Sequence, residues 1–373
     1  MPTPTPPPGT HAARRDRLRA ALAEQQPDVA ALLVDSTVNI AYLTGFTGSS
    51  ARLLIGPDVE RLLSDSRYAT QIERQCPGLD ATIRTQAESF VDSTVKVLAK
   101  VRGSVAVEAE HISLHDFEKL KGAAAGTPLR TSDGLVEGLR ATKDEWEIEQ
   151  IRTAVTVAEE AFTETLNDLR GGESERDLSY RLEAALRARG AKGFSFAPII
   201  AVGENGACPH YEVGDPKIGD AGSLLIDWGA RMPGGYVSDL TRTVLTGEEP
   251  EEFRRVYDTV NAAVDAALAL LKPGVPLKDV DAASRAVIAE AGYGDYFGHG
   301  LGHGIGLQVH EAARLSSLSD DVATAGMVVT VEPGVYLPGR FGVRIEEDVL
   351  VTPAGAETLS SLPRAEPLRL RLA

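Results

Sequence analysis

Cysteine is nearly missing: Cys76 and Cys208 are the only two in 373 residues, and they stand far apart. That excludes a disulfide framework and a cysteine-based zinc cluster. Positive charge is also short, with 38 Lys and Arg against 54 Asp and Glu, a net charge of −16. Nucleic acids and anionic membranes are bound through basic surfaces, so neither is expected as a partner. No uncharged apolar run reaches the roughly 18 residues that a membrane span needs. Met1–Pro8 holds five prolines and no apolar stretch, so it does not read as a secretory signal. The expected compartment is the cytoplasm. No internal repeat is visible.

What is present is ordinary for a globular chain, with 43% hydrophobic and 25% charged residues. At about 150 residues per domain the length suggests two domains. Residues 1–11, rich in Pro and Thr, read as a disordered tail that includes His11. From residue 12 to about 140 short apolar runs (Ala30–Val34, Arg52–Ile55, Arg61–Leu63, Val105–Val107) alternate with helical stretches such as Ala12–Gln25 and Ser89–Lys100. That alternation predicts an α/β domain with a parallel or mixed sheet. A second domain is expected over 141–373. Its start is marked by Thr142-Lys143-Asp144-Glu145, which reads as a capping box with Thr142 as the N-cap. An amphipathic helix follows, with Ile148, Ile151, Val155, Ala158 and Phe162 on one face. Further helices are predicted at Asp177–Arg189, Glu251–Leu271 and Leu277–Ala291, and strands at Leu224–Trp228, Ser238–Leu245, Met327–Val331 and Arg344–Thr352. They do not alternate strictly, so this half is α+β.

Carboxylate and imidazole gather on four of the apolar or Gly-rich segments. Asp227 lies in Leu224–Trp228, where a buried, unpaired acid costs several kcal/mol, so it needs a partner or a metal. Asp239 follows twelve residues later, across Met232-Pro233-Gly234-Gly235. That is hairpin spacing, and it can set the two acids on one face. Two like charges so close repel unless a cation sits between them. Gly298–Glu311 alternates glycine with other residues and carries His299, His303 and His310; extended, it puts His299 and His303 on one face. Its glycines predict close backbone approach. It fits neither the dinucleotide-binding glycine pattern nor the His-Glu-x-x-His zinc helix. Glu332 and Glu346 are separated by another strand-turn-strand interval, and Arg344, Glu346 and Asp348 are expected on one strand face. An acid taken singly is more often an ion-pair or capping residue, and Asp348 and Glu311 are read so. Asp227, Asp239, His303, Glu332 and Glu346 together are read as a metal-ligand set. Four carboxylates neutralise two divalent cations, and an oxygen-rich set with one imidazole suits manganese, with cobalt or zinc as alternatives.

These residues resemble the Xaa-Pro peptidases of the pita-bread metallopeptidase family. The resemblance is carried by Leu225–Gly229 with Gly235–Thr243, by His299–Glu311, by Val331–Gly334 with Tyr336, and by Val343–Glu346 with Asp348. Asn39–Ser49 and Asp65–Tyr68 resemble the family's amino-terminal domain. The resemblance implies a pita-bread α+β catalytic domain behind a smaller α/β domain, and two divalent cations per subunit. It implies that Asp227 binds one metal, that His303 and Glu332 bind the other, and that Asp239 and Glu346 bridge both. It further implies Glu332 as proton carrier to the leaving proline nitrogen, His210, His299 and His310 around the substrate, and Arg344 as an electrostatic support. Short proline-containing peptides are the implied substrates and a homodimer the implied assembly. A bond to proline has no N–H and is crowded, so it suits metal polarisation with a positioned acid.

Family members divide into dipeptidases, which must hold the proline carboxylate, and aminopeptidases P, which leave an exit for longer peptides. Arg52, after the loop Gly45–Ser50, is a candidate bidentate carboxylate clamp, which tilts the expectation towards a dipeptidase. Its plain alternative is a solvated strand-edge residue. Methionine aminopeptidase, creatinase and a non-enzymatic peptide-binding module share the fold. The long amino-terminal domain opposes the first, and the intact ligand set opposes the other two.

Overall fold

A computed structural model describes residues 3–370 except 125 and 220–221. Contacts divide the chain into two compact units, Pro6–Arg140 and the residues from Ala141 onward, with the described residues 3–5 lying with the latter.

The first unit is built on a six-stranded mixed sheet in the order Ala81–Arg84, Glu60–Asp65, Ala51–Ile55, Val29–Val34, Ser104–Glu108, Leu129–Ser132. Val29–Val34 pairs antiparallel with one neighbour and parallel with the other. Its alternate residues Ala31 and Leu33 are fully buried with Leu54, Val105 and Val107 in one core cluster, which explains the β-branched and aliphatic runs. The first helix opens at Thr10, inside the stretch expected to be disordered. His11 is therefore helical, and its Nδ1 lies 3.1 Å from the Tyr42 carbonyl. Met1 and Pro2 of that tail lie outside the described residues.

The second unit repeats one scheme: a helix pair against an antiparallel sheet. Glu145–Asn167 and Glu175–Ala188 share a core cluster with the three-stranded sheet Leu240–Leu245, Ser223–Trp228, Ile199–Val202. There Trp228 stacks on Phe162 with ring centroids 4.1 Å apart. Phe253–Leu270 and Leu277–Glu290 share the other cluster with a five-stranded sheet ordered Glu311–Leu315, Gly302–Gly304, Val328–Val331, Glu347–Thr352, Gly355–Thr358. The helix from Glu145 carries the expected buried stripe, including Ile151, Val155, Ala158 and Phe162. Its capping box, however, is formed by Asp144 and Glu147. The sequence offers two such signatures two residues apart, and Thr142 is used instead in a bridge to Met327.

The stretch expected as one strand over Arg344–Thr352 is two. Phe341–Arg344 pairs with Gly334–Leu337, and Glu347–Thr352 pairs with Val328–Val331. The register is continuous, with Val331 opposite Glu347 and Gly334 opposite Arg344. Carried through the break, it sets Glu332 opposite Glu346. Pro333 has no N–H to continue the ladder, and Glu346 makes a bridge to Thr241 of the other sheet instead. The two sheets are thus joined at an acid.

Candidate metal centre

The hairpin after Ser223 forms as its spacing predicts. Thr241 stands opposite Asp227, and Asp239, two residues earlier, shares the face of Thr241. Arg231 and Val237 form a bridge, and Gly235 turns the chain at φ +93°. From the other sheet comes Gly302–Gly304. A Cβ on Gly302 would meet the Thr330 carbonyl oxygen at 2.0 Å, and one on Gly304 the Ala312 oxygen at 1.9 Å. Only glycine lets neighbouring strands close this tightly around His303. The extended part is short, so His299 sits in the loop before it rather than on a shared strand face.

Ligand atoms of Asp239, His303 and Glu346 lie within 4.8 Å of one another. His303 Nε2 is 3.4 Å from Glu332 Oε1 and 3.8 Å from Asp239 Oδ2. Its Nδ1 is 3.1 Å from the Gly304 carbonyl. A carbonyl only accepts, so Nδ1 carries the hydrogen and Nε2 presents a lone pair to the acids. Burial, with the nearby His310, pulls the His303 pKa down to about 4 and keeps it neutral. The two rings lie 4.2 Å apart.

Asp227 has two different oxygens. Oδ2 accepts from Arg344 Nη2 at 2.5 Å, while Oδ1 is buried with no partner among the described residues. Burial pushes Asp227 up despite Arg344. Burial and neighbouring acids push Asp239 and Glu346 well above the usual carboxylate range, and burial raises Glu332 to about 8. A cluster of acids that opposes its own ionisation, a bare imidazole nitrogen and an orphaned carboxylate oxygen together fit a hard divalent cation.

Arg344 holds this centre from behind. Its Nη1 donates to the Tyr336 hydroxyl at 2.8 Å and its Nε to Thr241 Oγ1 at 3.1 Å. Thr241 passes a hydrogen bond to Glu346 Oε2 at 2.7 Å. The Tyr336 hydroxyl also meets His299 Nε2 at 2.8 Å, while His299 Nδ1 meets the Gly300 carbonyl at 2.8 Å. Both nitrogens of His299 are thereby engaged, and burial lowers its pKa to about 4. Asp348, read from sequence as an ordinary ion-pair or capping residue, is fully buried and accepts from the Asp239 backbone N–H at 3.0 Å. Glu311 accepts from the backbone N–H groups of Leu307 and Gln308 and pairs with Lys143 at 3.2 Å, which sets the turn before His310. Tyr336 and Thr241 had no assigned role in the sequence. Their signal was alternation: each falls on the face of a candidate ligand.

A cleft of about 720 Å³ opens onto this centre. All nine predicted site residues of the second unit line it: Asp227, Asp239, His210, His299, His303, His310, Glu332, Arg344 and Glu346. Phe196, Pro198, Ile199 and Val309 add an apolar wall. Arg52 belongs to the first unit, where it is a buried, ion-paired residue and not the solvated strand-edge group of the plain alternative. Its guanidinium is 2% exposed and is already held by Asp35 at 2.5 Å, Asp116 at 2.6 Å and Thr94 at 3.2 Å, with the Phe90 ring 4.8 Å away. With all three nitrogens bonded and the side chain buried, this fork is not presented to solvent.

Residues 149–353 match Metallopeptidase family M24, and residues 14–142 match the Creatinase/Prolidase N-terminal domain. An uncharacterised peptidase of Bacillus subtilis is 35% identical over 339 residues, covering 89% of this chain and 94% of its own. Among solved structures, the Xaa-Pro dipeptidase from Bacillus anthracis superposes with a TM-score of 0.91 at 34% identity, covering 96% of this chain and all of its own. The X-Pro aminopeptidase from Thermotoga maritima does so with a TM-score of 0.85 at 36% identity and the same coverage. The expected fold, an α/β domain followed by a pita-bread catalytic domain, is borne out. An Asp/His/Glu centre at the base of a cleft, on that fold and with those relatives, places the chain in metallopeptidase family M24, with a creatinase-type amino-terminal domain ahead of its catalytic domain.

Proposed function

We propose that this peptidase hydrolyses the bond between an amino-terminal residue and proline, with Xaa-Pro dipeptides as preferred substrates. The convergence of Asp239, His303 and Glu346 beside Glu332 and Asp227 in one cleft carries this reading. Those five residues would hold two divalent cations, manganese first and cobalt or zinc as alternatives. When bound, such ions polarise the scissile carbonyl and lower the pKa of water.

The chain's own groups supply the rest. Glu332, at the break in its hairpin, takes a proton from the attacking water onto its carboxylate and delivers it to the leaving proline nitrogen. His210 and His310 border the substrate. His299 offers the wall of its ring, because both its nitrogens are engaged. Arg344 keeps Asp227 and Tyr336 in place.

We assign the dipeptide preference to Arg314, an exposed residue on the strand beside His303, in place of Arg52. Arg314 is the cross-strand partner of His303, and its positive charge acts on His310. Two extra residues, Ala312 and Ala313, bulge between the pairs Gly304–Glu311 and His303–Arg314, with Ala313 at φ +81°. Such a bulge re-aims the following side chain. A guanidinium there suits a free proline carboxylate. Action on longer peptides, as in aminopeptidase P, is the second reading; a cleft of about 720 Å³ is roomier than a dipeptide requires. A domain boundary near residue 141, read from the capping signature and the helix behind it, a cytoplasmic location, read from composition, and a homodimer, on the family resemblance, complete the proposal.

After chelation and reloading with manganese, an Xaa-Pro dipeptide is assayed beside the matching Xaa-Pro-Xaa tripeptide. Faster dipeptide cleavage is expected. Preference for the tripeptide replaces the dipeptidase assignment with aminopeptidase P, and activity on neither removes the proline specificity.

A further inference from the structure

Glu175 is fully buried at the start of the helix Glu175–Ala188. A carboxylate without solvent normally sits beside a cation. This one is surrounded by neutral donors instead. Its Oε1 accepts from the Val202 backbone N–H at 2.9 Å and from Asn205 Nδ2 at 3.0 Å. Its Oε2 accepts from the Gly214 backbone N–H at 2.9 Å. A Cβ on Gly214 would lie 3.4 Å from that oxygen and 3.0 Å from the Tyr211 hydroxyl.

The donors come from both ends of one segment. Val202 ends the strand Ile199–Val202, the turn Gly203–Ala207 follows, and the chain returns at Gly214. Between them lie Pro209, His210, Tyr211, Glu212 and Val213, all on the cleft. Asn205 Nδ2 also donates to the Tyr211 hydroxyl at 3.0 Å. Burial and the hydrogen bond to Glu175 push that phenol up to about 12, so it stays a donor. His210 itself is exposed. Apart from this clasp, the far end is tied to the helix by backbone bonds from the Arg176 N–H to the Gly214 carbonyl and from the Glu175 N–H to the Pro216 carbonyl, both at 3.1 Å.

We infer that Glu175 is a positioning residue for the substrate: its carboxylate closes the segment 202–214 into a loop and so holds His210 and the wall around it against the bound peptide. This rests on the peptidase reading of the cleft. Several charge-assisted hydrogen bonds to one buried group are strong, and losing one acceptor leaves a donor facing a donor. The metal ligands lie on other segments and keep their own supports.

The test is Glu175→Gln in the full-length, metal-loaded enzyme, with and without His210→Ala. Glu175→Gln is expected to raise KM and lower kcat/KM about tenfold, with kcat within about twofold and metal content unchanged. In the His210→Ala background it should change kcat/KM by less than about twofold, because the same positioning has already been lost. Amide exchange over 203–214 should quicken in Glu175→Gln, a readout that needs no substrate. Asn205→Ala, which removes one donor and leaves the carboxylate, should shift KM in the same direction and serves where Glu175→Gln fails to fold. An equal loss in both His210 backgrounds, or unchanged exchange over 203–214, overturns the inference. A wild-type enzyme with no Xaa-Pro activity but quickened exchange in Glu175→Gln overturns the peptidase reading and leaves the clasp standing.

Discussion

Arg344 donates to Oδ2 of Asp227 at 2.5 Å and leaves Oδ1 of the same carboxylate buried with no partner among the described residues. One oxygen is thereby fixed, and the other is available to a cation. Every nitrogen of this guanidinium is committed in one plane, to Asp227, Tyr336 and Thr241. A lysine ammonium cannot span those three acceptors. Arg344→Lys is therefore expected to weaken divalent-metal affinity about tenfold or more, read by titrating the metal-free protein. Unaltered affinity would show that Asp227 needs no such support.

The metal-free centre carries its own pH signature. Burial holds a proton on Glu332 up to about pH 8. For an acid raised in the fold, stability is present below its ordinary range near 4.5 and is lost as pH rises through about 8. A bound divalent cation offsets that loss, so the gain in Tm on adding manganese should be larger at pH 8.5 than at pH 6. Metal uptake at pH 7 should release protons, measurable by calorimetry in buffers of different ionisation enthalpy. A Tm gain that shrinks with pH contradicts the acid cluster as the binding site.

Glu332→Gln keeps the shape of the side chain and removes its ability to carry a proton. A kcat loss on the order of 100-fold or more is expected, with KM changed little. Metal content measured on the same preparation separates loss of proton transfer from loss of a ligand. A kcat close to wild type would exclude Glu332 as proton carrier.

Two arginines separate the dipeptidase question. Arg314→Ala should raise KM for an Xaa-Pro dipeptide about tenfold and leave the tripeptide nearly unaffected, since only the dipeptide ends in the proline carboxylate. Arg52→Ala should leave the ratio of dipeptide to tripeptide activity unchanged. It should instead destabilise the amino-terminal domain by about 2 kcal/mol, a figure discounted because Asp116 is a third exposed. Denaturant unfolding of both variants reads the second effect, and steady-state kinetics the first. A dipeptide-selective defect in Arg52→Ala would reinstate that residue.

Much of the centre was legible in the chain because its signals are local. An acid inside Leu224–Trp228 violates the apolar pattern of a buried strand, and its twin twelve residues later sits at hairpin distance. Glycine on alternate positions around His303 announces a backbone that must be approached closely. Such violations are readable without coordinates, because burying a charge or giving up a side chain needs a local reason. The N-cap was less legible: Thr142 and Asp144 both satisfy the capping pattern, and a tertiary bridge from Thr142 to Met327 decided between them.

Sequence alone determined the α/β and α+β division, the helix and strand types and the chemical nature of the donor set, since periodicity and residue type are properties of neighbours along the chain. Tertiary structure decided who meets whom. Arg52 became an internal ion-pair residue because Asp35 and Asp116 fold onto it. Asp348 became a support because the Asp239 N–H points at it across 109 residues. The break between Arg344 and Glu347 follows from two sheets competing for one strand, with Glu346 left at the junction. Whether a buried charge ends as a ligand, a clasp or an ion pair depends on the partners that close around it, and partners distant in sequence are set only by the packed fold.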